Sequence, residues 1–394
     1  MSTIQIAEGV YWVGVKDPKL AVFDITMETH HGTTYNAYLV RGEKTALIDT
    51  VKKEFADVYL QKVESLVPIE DIDYLIVNHN EPDHSGAIPA LLDRKPDIRL
   101  ICSAVAVPYL KSIINREADI TGVKDKATLD LGGKSFVFRS MPYMHWPDTM
   151  MDYLNEDRIL FSNDGFAAHV SFDSLWSEES HVDIDYEVKY YFDAIMRPFT
   201  GYIRRNVAKL DDHEIAMVCP SHGPLYRKEP RKYIESYKQW SVDKAESENR
   251  VAIFYASNYG NTETIAIALS KELPAHKLRA ELVDVTSADD DRIKEAIESS
   301  KAVVIGTPTF NGDAVKPIWD MMCNFSMVYS LGKKAAVFGS YGWGGEGAKL
   351  VADRLTGLRL KVFDEEYRVR LIPSDDDLVE LREWTGRLAG FIMG

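Results

Sequence analysis

Cysteine is scarce in this chain of 394 residues: Cys102, Cys219 and Cys323 are the only three, and no two form a CxxC pair. That excludes an iron–sulfur cluster and a fused rubredoxin module, which need paired cysteines. Scattered thiols suit a reducing compartment, so a cytoplasmic location is expected. Cys102 and Cys323 lie in apolar segments and are expected to be inert; Cys219 is close to His222 in sequence alone, a poor reason to make it catalytic. Long apolar runs are missing too, so no membrane span is expected. The stretch Met1-Ser2-Thr3-Ile4-Gln5 lacks the charged and apolar regions of a signal peptide. Positive charge is in deficit: 46 Lys and Arg against 61 Asp and Glu give a formal net charge of −15. Nucleic acid and acidic membrane surfaces are therefore poor partners. There is no internal repeat and no low-complexity segment. A hydrophobic content of 45% supplies ample core, and the length suits two domains.

Against this background one string stands out, His79-Asn80-Glu81-Pro82-Asp83-His84. It follows the strand-like apolar run Tyr74–Val77, so it belongs on a loop at a strand end. Alternation along an extended chain would turn His79, Glu81 and Asp83 to one side. Imidazole with carboxylate suits Zn, Fe or Mn rather than Ca or Mg. Three further donors follow strand-like runs: His145 after Phe136–Met144, Asp164 after Ile159–Asn163, and His222 after Ile215–Ser221. Loops at strand ends are where layered α/β folds collect active sites. Glu81, Asp83 and Asp164 with one bridging hydroxide would balance two divalent ions, and anionic oxygens can share the surplus charge of the ferric state. A hydrolytic zinc pair keeps fewer carboxylates and a net positive site that acidifies water. Mn and Zn also accept this ligand set, so ligand type alone does not fix the metal.

The composition changes near residue 240. Ser241–Arg250 is polar and reads as a linker, giving expected domains of 1–249 and 250–394. The buried-strand pattern Val251–Ala256 runs into Ser257-Asn258-Tyr259-Gly260-Asn261-Thr262, and a helix pattern follows at Ile265–Leu273. Strand, hydroxyl-rich turn and helix start form a phosphate site, since free N–H groups and the helix dipole meet a dianion. Neither the Walker ending nor Gly-x-Gly-x-x-Gly is present in this loop. Two more strand-end loops are Thr307-Pro308-Thr309-Phe310-Asn311-Gly312 and Ser340-Tyr341-Gly342-Trp343-Gly344. In a doubly wound sheet with a flavodoxin-like order, a flavin binds beyond such strand ends, with Phe310, Tyr341 and Trp343 as walls.

These motifs carry a resemblance. His79-x-Glu81-x-Asp83-His84 with His145, Asp164 and His222 looks like the metallo-β-lactamase fold, as do Thr34–Val40 and Ala46–Thr50. Glu81 stands where the common hydrolases have His. That variant, followed by a half that resembles flavodoxin, is similar to the flavodiiron proteins over nearly the whole chain. The resemblance implies an αββα sandwich followed by a doubly wound parallel sheet, with FMN and two irons as cofactors. It implies His79, Glu81 and His145 on one iron, Asp83 and His222 on the other, and Asp164 between them. His84 binds in some members and not in others. Asp49 matches a structural acid, and His169 is expected to be an ordinary histidine or a hydrogen-bonding partner of a ligand. Trp146 is a candidate contact between flavin and metal site, and a buried core tryptophan is the equal alternative. The implied reaction is reduction of dioxygen to water and/or nitric oxide to nitrous oxide. The donor would be rubredoxin, a flavoprotein reductase or reduced deazaflavin, and the assembly a head-to-tail homodimer. The rival reading is a zinc hydrolase of thioesters or lactones with an accessory flavodoxin-like domain.

Overall fold

The computed structural model describes residues 3–242, 249–326, 328 and 330–394. The chain divides into two compact units, Met1–Val242 and Asp243–Gly394. This division precedes the expected boundary after 249, and most of the linker reading Ser241–Arg250 falls on 243–248, outside the described residues.

In the first unit two sheets stack. Among the described residues one runs in the order Ile4–Ala7, Val10–Trp12, Tyr38–Arg41, Thr45–Ile48, Tyr74–Val77, Arg99–Ser103, Ile120–Val123. Its last four strands are parallel. The other runs Thr128–Asp130, Ser135–Ser140, Met150–Leu154, Ile159–Asn163, Met217–Pro220, and its final pair is parallel. Alternation sorts each strand between two apolar layers. Tyr74 and Ile76 meet Phe138, Met150 and Phe161 between the sheets. Leu75 and Val77 instead pack with Tyr59, Val63 and Leu91 of the outer helices Ala56–Glu64 and Ile88–Arg94. A strand buried on both faces reads as an unbroken apolar run, which is what Tyr74–Val77 is. The result is an αββα sandwich.

The second unit is a doubly wound parallel sheet. Its order is Arg279–Asp284, Arg250–Tyr255, Ala302–Phe310, Lys334–Tyr341, and then the short Lys361–Val362 and Tyr367–Arg370 beside the last of these. The first strand in sequence has neighbours on both sides, so the winding reverses there and opens a crevice at the strand ends. Ala252 and Phe254 face one helical layer, and Val251 and Ile253 the other. The helix expected from Ile265 begins at Asn261 instead, because the left-handed Gly260 (φ +81°) starts it one turn earlier. Its polar first turn, Asn261-Thr262-Glu263-Thr264, hides that start from any apolar periodicity.

Cys102 and Cys219 are buried and Cys323 is exposed, so the expectation of an apolar setting fails for Cys323. Among the described residues no helix is long and apolar enough to cross a membrane.

Candidate functional site

The parallel strands of the first unit end together, and their following loops carry the donors. His79 follows Tyr74–Val77 by one residue, Asp164 directly follows Ile159–Asn163, and His222 follows Met217–Pro220 by one residue. Expected alternation after His79 does not hold. Glu81 caps a helical turn, Pro82–Ser85, and that turn swings Asp83 and His84 away from His79 and Glu81. Two clusters result: His79, Glu81, His145 and Asp164, and then Asp83, His84 and His222. In each, one ligand atom per residue lies within 4.8 Å of the others.

Asp164 touches both. Its Oδ2 is 3.3 Å from His145 Nε2 and 3.6 Å from His79 Nε2. Its Oδ1 is 3.0 Å from His84 Nε2 and 3.6 Å from His222 Nε2. Glu81 Oε2 lies 3.1 and 3.2 Å from the Nε2 atoms of His79 and His145. Asp83 Oδ2 lies 3.1 Å from His222 Nε2 and 3.3 Å from His84 Nε2.

The rings are aimed from behind. His222 Nδ1 donates to Thr34 O at 2.6 Å, which leaves Nε2 for the site. Asp148 Oδ2 lies 3.4 Å from His79 Nδ1 and accepts from the Asn80 backbone N–H at 2.9 Å. The Ser221 hydroxyl donates to Asp164 Oδ1 at 2.6 Å. Gly223 (φ +76°) closes the loop after His222, where a Cβ would meet Ala168 O at 2.4 Å. Asp49 accepts from Asn78 N and Asn163 Nδ2, pinning two ligand loops together, as its structural reading expected. His169 joins neither cluster. It is buried, pairs through Nδ1 with Thr33 Oγ1 at 2.8 Å, and its ring sits 4.8 Å from that of His222. Half-buried Trp146 packs edge-on against His79 at 5.0 Å.

The electrostatics ask for cations. Burial pulls the His79, His84 and His145 imidazoles down, but the carboxylates around them win. His79 is held well above its usual value, His84 and His145 at about 9. Burial likewise raises Asp164 and Glu81, yet the facing imidazoles hold both carboxyls well below their usual range. Among the described residues both oxygens of Asp83 and both ring nitrogens of His84 are buried without a well-formed hydrogen bond, although Asp83 Oδ2 and His84 Nε2 face each other and the other site groups at ion-pair distance. Three carboxylates and four imidazoles fit two transition-metal ions, with Asp164 able to touch each.

In the second unit a cleft of about 190 Å³ opens beside the strand ends. Ser257, Asn258, Tyr259, Asn261, Thr262, Pro308, Thr309, Phe310, Ser340, Tyr341, Gly342 and Trp343 line it. Leu371 lines it as well; sequence reading missed it because it follows the distant strand Tyr367–Arg370. Gly260, Thr307, Asn311, Gly312 and Gly344 do not line it. Gly260 shapes the helix start, and Thr307 is buried. Asn311 (φ 51°) and Gly312 (φ 78°) form the tight turn of a hairpin that pairs Phe310 with Asp313. Thr262 is buried, with its hydroxyl 2.8 Å from Ser340 Oγ. Tyr259 and Trp343 are 83% and 85% exposed.

Comparison with known proteins follows this division. Residues 33–223 match the ODP family beta-lactamase model and residues 253–384 the flavodoxin model. A flavo-diiron protein of Clostridium acetobutylicum is 38% identical over 386 residues, covering 96% of both chains. The chain belongs to the flavodiiron proteins. A nitric oxide reductase of Moorella thermoacetica is 31% identical, covering 99% of this chain and 98% of its own. The solved rubredoxin oxygen:oxidoreductase of Desulfovibrio gigas superposes with a TM-score of 0.72 at 27% identity, covering 100% of this chain and 99% of that one. In this flavodiiron protein the supports Asp148, Thr34 and Ser221 carry no spacing signal, and sequence reasoning missed them.

The phosphate loop yields a test. Thr262→Ala should weaken FMN binding about ten- to a hundredfold, the cost of a hydrogen bond to a charged group. Glu263→Gln should leave it unchanged, since a carboxylate cannot donate to phosphate. Titration of apoprotein with FMN reads both; equal affinities would take the hydroxyl out of the site.

Proposed function

We propose that this oxidoreductase reduces dioxygen to water and/or nitric oxide to nitrous oxide at a diiron site fed by FMN. The observation that carries the reading is Asp164, one carboxylate within 3.6 Å of imidazoles from both clusters. His79, Glu81 and His145 would hold one iron, and Asp83, His84 and His222 the other. His84 is included because its Nε2 turns toward Asp164 and Asp83. The bound cofactors supply two electrons from reduced flavin and two from the iron pair, enough for dioxygen and more than two nitric oxide molecules need. The protein's part is to hold the pair at fixed spacing, aim His79 through Asp148 and His222 through Thr34, and bury Asp83 and Asp164 from bulk water. Glu81, which gives the first cluster a second carboxylate, favours this over a zinc hydrolase.

For FMN, the hydroxyls and N–H groups of 257–262 would take the phosphate, and Tyr259, Phe310, Tyr341 and Trp343 the ring. Electrons would come from rubredoxin, a flavoprotein reductase or reduced deazaflavin; the 394 residues themselves hold no cysteine pair for a rubredoxin iron. A reducing cytoplasm fits three free thiols.

The deciding experiment is anaerobic oxidation of the fully reduced protein by dioxygen and by nitric oxide, side by side. Fast reoxidation by at least one, without released peroxide, is expected; slow reoxidation by both would refute the proposal.

We also propose a head-to-tail homodimer. Each cofactor would sit at the loop end of its own sheet, and a compact domain is tens of ångströms across. A two-fold pairing can bring one chain's flavin to the other's irons. Mixed dimers, with one chain lacking metal ligands and the other the FMN loop, should recover activity absent from either parent. Full turnover by a monomer would contradict this.

A further inference from the structure

Beneath the ligand loops, the apolar layer between the sheets turns polar. Strand alternation causes it. Asp152 stands between the inward Met150 and Leu154, Asn78 continues Tyr74 and Ile76, and Asn163 continues Ile159 and Phe161. All three polar residues are buried, as is Asp49. Asp49 has its oxygens engaged by Asn78 N at 2.7 Å and Asn163 Nδ2 at 3.1 Å. Asp152 is different. Among the described residues its Oδ1 and Oδ2 have no hydrogen-bond partner, and neither do Oδ1 and Nδ2 of Asn78. Yet the Asn78 amide is the neighbouring polar group that acts on this carboxyl, and as a donor it pulls the carboxyl down against the larger upward effects of burial and Asp49.

We infer that Asp152 is a neutral carboxylic acid, joined to the Asn78 amide by two hydrogen bonds, and that this pair positions the loop bearing His79. One proton satisfies all four atoms. The Asp152 O–H donates to Asn78 Oδ1, and Asn78 Nδ2 donates to the other Asp152 oxygen. A bridging water could reach the same atoms but would leave a bare charge beside Asp49 in an apolar layer. Burial first, and the like charge of Asp49 second, push the Asp152 carboxyl well above its usual value. The groups around the pair are Asp49 after Thr45–Ile48, Asn78 after Tyr74–Val77, and Asn163 at the end of Ile159–Asn163. His84 and His79 act on Asp49 and pull its carboxyl down, against a burial effect that leaves it at about 6. Asn78 is also tied through its carbonyl, which accepts from Met150 N at 2.9 Å on the Asp152 strand. His79 is the next residue, so the pair would fix where that ligand starts.

Asp152→Asn tests the proton, because an amide pair keeps both hydrogen bonds without one. Infrared spectra at about pH 8, where Asp49 is ionised, should contain a protonated-carboxyl band that Asp152→Asn removes; this readout needs no metal. Stability gives the second arm. The folded acid holds a proton that the unfolded chain releases above the ordinary aspartate value of 3.8, so wild-type stability falls as pH rises through that window. The advantage of Asp152→Asn in the folding equilibrium should therefore grow about tenfold per pH unit from roughly pH 4 upward. Asp152→Leu, which strands the Asn78 amide, should lose iron that Asp152→Asn keeps. An unchanged infrared band or a pH-independent advantage would overturn the inference. So would wild-type stabilisation by sodium or calcium that Asp152→Asn abolishes, which would mark a cation site instead.

Discussion

Four imidazoles converge on one buried carboxylate, and the first unit is arranged to make that tolerable. Asp164 lies 3.0 to 3.6 Å from the Nε2 atoms of His79, His84, His145 and His222. So many donors, with Glu81 and Asp83 beside them, are costly in a dry interior unless cations neutralise the oxygens. Two metal ions would do so, with these nitrogens and oxygens as the proposed ligands. The sandwich supplies the convergence: parallel strands from both sheets end at one edge, and each contributes a short loop. Asp49 couples two of those loops, while Asp148, Thr34 and Ser221 restrain the ligands from behind.

Most of the proposed ligands were legible because they follow apolar, buried strands. His79, Asp164 and His222 stand within two residues of such strands, whereas His145 lies in the middle of the loop between Ser135–Ser140 and Met150–Leu154, because the strand expected to run to Met144 ends at Ser140. Period-two reasoning failed inside the first motif. Pro82 starts a helical turn, so Asp83 and His84 share a cluster rather than alternating past it. Supporting residues were illegible for a simple reason. Asp148, Thr34 and Ser221 are common residue types whose role comes from distant partners, and spacing along one chain does not encode that.

The flavodoxin-like unit was legible in its loops and less so in their detail. The three strand-end segments do meet at one cleft, but the tight-turn glycines shape the walls rather than line them. A helix start was missed because its polar first turn is the part that faces the cleft. Both units thus follow one rule: apolar periodicity locates strands, and departures from it mark chemistry. Asp152 breaks inward alternation between Met150 and Leu154, and that break is where a buried proton is inferred.

Iron analysis of Asp164→Ala, against wild type, tests the central claim most directly. A carboxylate shared by both clusters holds both ions, so its removal leaves each under-neutralised. Wild type should carry about two irons and one FMN per chain; the variant should lose iron and turnover while keeping its flavin. Retention of both irons and full activity in Asp164→Ala would contradict the account.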